Sequence, residues 1–185
     1  MRGLLLVVSG PSGVGKSTII EEMLAGVRTD RECVFSVSMT TRPPREGEIE
    51  GVNYRFVTRE RFQRGIENGE LLEYAEYAGN YYGTPAPPVF QAMERGKCVI
   101  LDIELKGVLQ VKKHMPEAVT VYIRPPDWDE LAKRLRGRGT ENEALVVERL
   151  EIARRDFEHI GSFDYVITNG DVKTAALELA NIVDS

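Results

Sequence analysis

Gly10, Pro11, Ser12, Gly13, Val14, Gly15, Lys16 and Ser17 spell G-x-x-x-x-G-K-S, and what flanks this motif constrains the fold more than any other feature of the chain. Upstream, Leu4 to Ser9 is a continuous apolar run, the pattern of a strand buried on both faces. Downstream, Ser17 to Val27 reads as a helix with Ile19, Ile20, Met23, Leu24 and Val27 on its apolar side. Between a strand and a helix, such glycines let the backbone curl so that successive N–H groups point at phosphate oxygens, and the helix adds its positive end. Gly10 to Thr18 are therefore expected to bind a nucleoside triphosphate, with Lys16 at the β- and γ-phosphates and Ser17 on Mg²⁺, a motif that by itself does not separate a kinase from a GTPase or an ATP-driven machine. The bland alternative is a glycine-rich turn with a chance lysine; the agreement of strand, spacing and helix argues against it.

The rest of the chain repeats the alternation. Short strand-like runs recur at Cys98 to Leu101, Ala118 to Ile123 and Tyr165 to Thr168, and Val34 to Ser38 adds another. Helical patterns fall at Pro88 to Arg95, Leu105 to His114, Asp127 to Arg136 and Asp171 to Val183. This predicts an α/β fold in three layers around a mostly parallel sheet with right-handed crossovers. Two stretches break the rhythm. Residues 39–84 carry short alternating segments such as Asn53 to Val57 and Leu71 to Tyr77, as expected of a small mixed β lobe inserted into the core. Residues 134–158 run from arginines and glycines into a charged helix without a continuous apolar face, which suits a mobile helical lid. The expected organisation is one domain over 1–185, with a core of 1–38, 85–133 and 159–185.

A net charge of −5 argues against a nucleic-acid binder, although basic clusters remain for a small phosphorylated ligand. Cys33 and Cys98 are too few for a disulfide framework or a zinc site and read as buried thiols in a reducing compartment. Leu4 to Val8 is too short to span a membrane and lacks a signal-peptide cleavage site, so the cytoplasm is the expected location. His114 and His159 fall near helix ends, and Trp128 beside Pro125 and Pro126 is expected to pack at a helix start.

The loop around Arg42 and Arg45, where two prolines hold the arginines among hydroxyls, resembles a site for a second phosphate. Tyr54 and Tyr82 can each add a neutral donor. The competing reading is an exposed loop whose arginines merely pair with Glu46 and Glu48. Similarly, Glu73 taken alone is the solvent face of an alternating strand.

Here the chain resembles the guanylate kinase family. The resemblance rests on Gly10 to Thr18, Ser38 to Gly47, Gly51 to Tyr54, Glu73 with Gly79 to Thr84, Leu101 to Gly107, and Arg138 to Glu141, in the same order and over essentially the whole chain. It implies that Arg42, Arg45, Tyr54 and Tyr82 hold the GMP phosphate and that Ser38, Glu73 and Thr84 read the guanine, with Asp102 and Glu104 also at the GMP site. An ionised Glu73 can accept from guanine N1–H and the 2-amino group, whereas adenine would present a lone pair. Arg134, Arg138 and Arg149 match the family's catalytic arginines, which stabilise the transferring phosphoryl. Asp102, at the carboxyl edge of a buried strand, is expected to support the water network of Mg²⁺. Glu104, Asn53 and Lys106 stand where the family usually has Asp, Asp and Gln. The implied substrates are ATP and GMP, with dGMP as a further acceptor, and the implied assembly is a monomer or simple homo-oligomer. Two rivals remain. A sugar-phosphate kinase on this scaffold would not need Ser38, Glu73 and Thr84, and the kinase-like interaction modules of scaffold proteins typically have degraded phosphate loops.

Overall fold

Alternate residues of the first strand, β1 (Leu4–Ser9), enter two different cores. Leu6 and Val8 join one cluster and Leu5 and Val7 the other, which is the signature of a sheet covered on both faces. The computed structural model describes residues 3–77, 79–137 and 143–185. Among these, β1 lies at the centre of a five-stranded parallel sheet with β2 (Cys33–Phe35), β7 (Cys98–Asp102), β8 (Val119–Arg124) and β9 (Tyr165–Thr168), in the order β2-β7-β1-β8-β9.

The first cluster is closed by α1 (Lys16–Gly26), α5 (Trp128–Arg136), α6 (Glu143–Phe157) and α7 (Val172–Asp184), through Ile19, Ile20, Met23, Leu131, Leu135 and Leu179 among others. The second is closed by α3 (Ala86–Glu94) and α4 (Leu105–His114), through Val89, Val108 and Val111. The helix ends follow local chemistry. Asp127 and Asp171 cap α5 and α7 by accepting from the N–H groups of Glu130 and Thr174. Prolines occupy the first turn of α3, where their missing N–H is harmless. Trp128 opens α5 and packs edge-on against Phe157 at 5.6 Å, at the helix start expected for it.

A second sheet is built from β3 (Met39–Thr40), β4 (Arg55–Phe56), β5 (Leu71–Tyr77) and β6 (Asn80–Pro85), in the order β4-β3-β6-β5. It is mixed: β3 pairs parallel with β4 and antiparallel with β6, and β5 is an outer strand.

Three local expectations are corrected. The strand expected over Val34 to Ser38 breaks: β2 ends at Phe35, and the chain leaves the first sheet to enter the second at Met39. Helix α2 (Arg59–Glu67) was not anticipated; it is strongly polar and buries only Phe62 and Gly65, with Thr58 as its cap. Conversely, α6 does carry a narrow apolar stripe, with Val146 and Ala153 buried and Leu150 packed beside them.

Candidate active site

The phosphate loop leaves the carboxyl end of β1 and enters α1 through Gly15, whose φ of +97° is left-handed. A side chain at Gly15 would also collide with the amide of Asn169, 2.6 Å from the position of its Cβ. That amide donates to the Val14 carbonyl at 2.7 Å. Arg134 of α5 reaches the same loop, donating to the carbonyls of Val14 and Asn169 at 3.2 Å each, while Glu130 holds its Nε at 3.1 Å. Arg149 of α6 donates to the Ser12 hydroxyl at 2.8 Å. Arg138 lies outside the described residues. Asn169, just past β9, is a buried contact of the loop that sequence reasoning missed; its only signal was its place after a strand at the sheet's carboxyl edge.

Lys16 Nζ donates to the Gly10 carbonyl at 2.8 Å and lies 3.8 Å from Asp102 Oδ1. Ser17 Oγ is 3.3 Å from Asp102 Oδ2. The ammonium, hydroxyl and carboxylate thus converge where β1 and β7, neighbours in the sheet, both end. Val8 and Asp102 are register partners, so the sheet itself sets this spacing.

In the second sheet, Arg42 forms a two-pronged pair with Glu48, at 2.7 and 2.9 Å. Glu48 also accepts from the Arg45 backbone N–H at 2.7 Å. The Arg42 guanidinium, followed by the Arg45 N–H, pulls the Glu48 carboxyl down to about 2. The pairing considered from sequence therefore exists for Arg42, and it orders the loop that carries both arginines. Arg42 also stacks over the Tyr54 ring at 5.5 Å, and Tyr54 meets Tyr82 edge-on at 6.0 Å. Arg42, Tyr54 and Tyr82 thus form one contiguous group. The Ser38 carbonyl accepts from the Arg55 N–H at 2.8 Å, joining the start of the loop to β4.

Glu73 is not on a solvent face. It is 6% exposed, and its Oε1 accepts from the fully buried Thr84 hydroxyl at 2.6 Å. Burial pushes its carboxyl above the ordinary value, the Thr84 hydrogen bonds oppose that, and the charge of Glu104 adds to it. Its Oε2 lies over Gly107 of α4, only 2.7 Å from where a Cβ would stand. Glu104 is the exposed residue preceding α4.

A parallel sheet with its phosphate loop on the central strand, beside a second sheet presenting arginines and a buried carboxylate, defines a P-loop kinase of the nucleoside-monophosphate class. The comparisons make this specific. The family model described as Guanylate kinase matches residues 2–185. Guanylate kinases of Streptococcus thermophilus (strain CNRZ 1066) and Streptococcus pyogenes serotype M3 (strain SSI-1) are each 47% identical over 184 residues, covering 100% of this chain and 87% and 86% of theirs. The crystal structure of guanylate kinase from Anaplasma phagocytophilum matches with a TM-score of 0.75 at 34% identity, over 98% of this chain and 85% of that one. The chain belongs to the guanylate kinase family, whose members phosphorylate GMP at the expense of ATP.

Proposed function

We propose that this chain transfers the ATP γ-phosphoryl to GMP by direct in-line displacement, with the roles assigned here to individual residues. The observation that carries the choice of acceptor is the buried Glu73–Thr84 pair. A hydroxyl has one proton, and Thr84 spends it on Glu73 Oε1. Thr84 thereby orients the carboxylate, and donation to guanine O6 falls to Ser38. The lone pairs left on Glu73 accept from guanine N1–H and the 2-amino group, a pattern adenine cannot offer. Glu104 lies close enough to Glu73 to raise its carboxyl, which supports a place on the acceptor side.

Arg42, Arg45, Tyr54 and Tyr82 hold the acceptor phosphate. That phosphate is already largely ionised at neutral pH, so no general base is required. On the donor side Lys16 exchanges its bond to the Gly10 carbonyl for phosphate oxygens. Arg134, Arg138 and Arg149 stabilise the transferring group. For the metal, the 3.3 Å approach of Ser17 Oγ to Asp102 supplies two hard oxygens, and no larger cluster of metal-ligating side chains exists among the described residues. That sparse set suits Mg²⁺, which keeps waters and phosphate oxygens as its other ligands. Bound there, Mg²⁺ would neutralise phosphate charge; Ser17 would ligate it and Asp102 would hold its waters.

The proposal includes the division into core, acceptor lobe 39–84 and lid 134–158, with lobe and lid closing to exclude water. It also includes dGMP as an acceptor, action as a monomer or simple homo-oligomer, and residence in the cytoplasm. Two free cysteines and the lack of any described helix long and apolar enough to cross a membrane support that location. Label transfer tests the reaction: γ-³²P from ATP should appear in GDP only when GMP and Mg²⁺ are both present. Label released as phosphate, or retained on the protein, would overturn direct transfer.

A further inference from the structure

An outer strand leaves one row of backbone N–H and C=O groups without a neighbouring strand. In β5 both such groups of Tyr74 are taken by a single side chain, Gln110 of α4. Gln110 Oε1 accepts from the Tyr74 N–H at 3.2 Å, and Gln110 Nε2 donates to the Tyr74 carbonyl at 2.9 Å. The same Nε2 also lies 3.3 Å from the Lys106 carbonyl of its own helix. A carboxamide can present a donor and an acceptor on one edge, as a residue of an adjacent antiparallel strand does, so Gln110 stands in for a missing strand.

The position of this clamp matters because of what lies on either side of it. The pairing of β5 with β6 shifts register between Leu71 and Glu73, a bulge that loosens the ladder just before Glu73. Tyr74, the next residue, is where Gln110 grips. One turn earlier in α4, Gly107 leaves the space that Glu73 Oε2 occupies. A single helix therefore meets the buried carboxylate at one point and fixes the backbone beside it at another.

We propose that Gln110 is a positioning residue for guanine recognition: by holding Tyr74 it keeps the Glu73 carboxylate seated over Gly107 and on Thr84. The proposal rests on the reading of Glu73 as the guanine-recognising group. It goes further in making selectivity depend on a residue of the core that touches no substrate.

The test compares the parent, Gln110→Met and Glu73→Gln in steady-state kinetics with GMP, IMP and ATP. Methionine keeps the length of the side chain and removes both bonds. IMP lacks the 2-amino group, so the GMP-to-IMP ratio of kcat/KM reports one of the two bonds expected at Glu73. In Gln110→Met the GMP KM should rise roughly tenfold, as follows from losing two neutral hydrogen bonds that seat the carboxylate. The GMP-to-IMP ratio should narrow, while the ATP KM and the kcat at saturating GMP stay near the parent values. A purely structural clamp would lower the unfolding midpoint and leave these ratios alone. If Glu73→Gln loses discrimination while Gln110→Met keeps parental GMP kinetics, the positioning role is overturned and the Glu73 reading stands. If Glu73→Gln itself keeps parental GMP kinetics, both fall.

Discussion

The Thr84 hydroxyl donates to Glu73 Oε1 at 2.6 Å, in a pair shielded from solvent. The proposed reading of guanine by Glu73 requires the carboxylate form, yet burial raises its carboxyl and the Thr84 hydrogen bonds are what restrain that rise. Removing the hydroxyl therefore moves protonation to higher pH. Thr84→Val should lower the plateau of kcat/KM for GMP and shift its acid limb upward in pH, with the ATP dependence unchanged. A pH–rate profile for each substrate checks this; an acid limb in the parental position would mean that Thr84 does not govern Glu73.

Gly107→Ala separates stability from recognition. Alanine is favoured over glycine in a helix by about 1 kcal/mol, which offsets part of the cost of displacing the buried carboxylate, so the variant should remain folded, as its melting curve would report. The new Cβ would stand 2.7 Å from Glu73 Oε2 and 3.2 Å from Ile103 Cδ1, so the carboxylate must move. GMP KM should rise on the order of tenfold, the size of effect expected when a charged hydrogen-bonding group is displaced. Unchanged GMP affinity in a well-folded variant would show that the space over Gly107 is not needed.

Lys16→Met should leave the fold intact and reduce kcat by roughly 10²–10³, the usual loss when one preorganised electrostatic partner of a transition state is removed. In the structure the lysine's hydrogen bonds go to the loop carbonyls of Gly10 and Pro11, so little packing depends on it. Circular dichroism and single-turnover rates at saturating ATP check both halves. Near-parental turnover would mean the phosphate cradle is misassigned.

Cys33 and Cys98 are register partners on β2 and β7, at the sheet edge opposite the phosphate loop. The hydrogen bond from Cys98 pulls the Cys33 thiol down to about 7, against the effect of burial, while the same contact and burial push Cys98 up. Because the thiolate is the nucleophile, alkylation of Cys33 by iodoacetamide should accelerate as pH rises through about 7. Fully buried Cys98 should stay unmodified in the native protein, as peptide mass analysis would report. A midpoint at the ordinary thiol value would contradict this.

Long, strongly patterned elements were legible in the sequence. The runs Leu4–Ser9, Leu71–Tyr77 and Tyr165–Thr168 and the helix Leu105–His114 fall where periodicity puts them. What could not be read depends on neighbours distant in sequence. Helix α2 is mostly polar, so periodicity has little to hold, and β3 is two residues long and exists only through its partners. Glu73 looked like a surface residue because its cover comes from α4 and Thr84. Asn169 and Gln110 carry no motif at all; each matters through a backbone group far away in the chain.

The most direct test of the central claim is the acceptor profile. With saturating ATP and Mg²⁺, ADP formation should be rapid with GMP and lower by a factor on the order of 10⁴ in kcat/KM with AMP, the discrimination typical of a site built to hydrogen-bond one substrate. A sugar phosphate should give no turnover above background. Comparable rates with AMP or the sugar phosphate, or no turnover with GMP, would contradict the account.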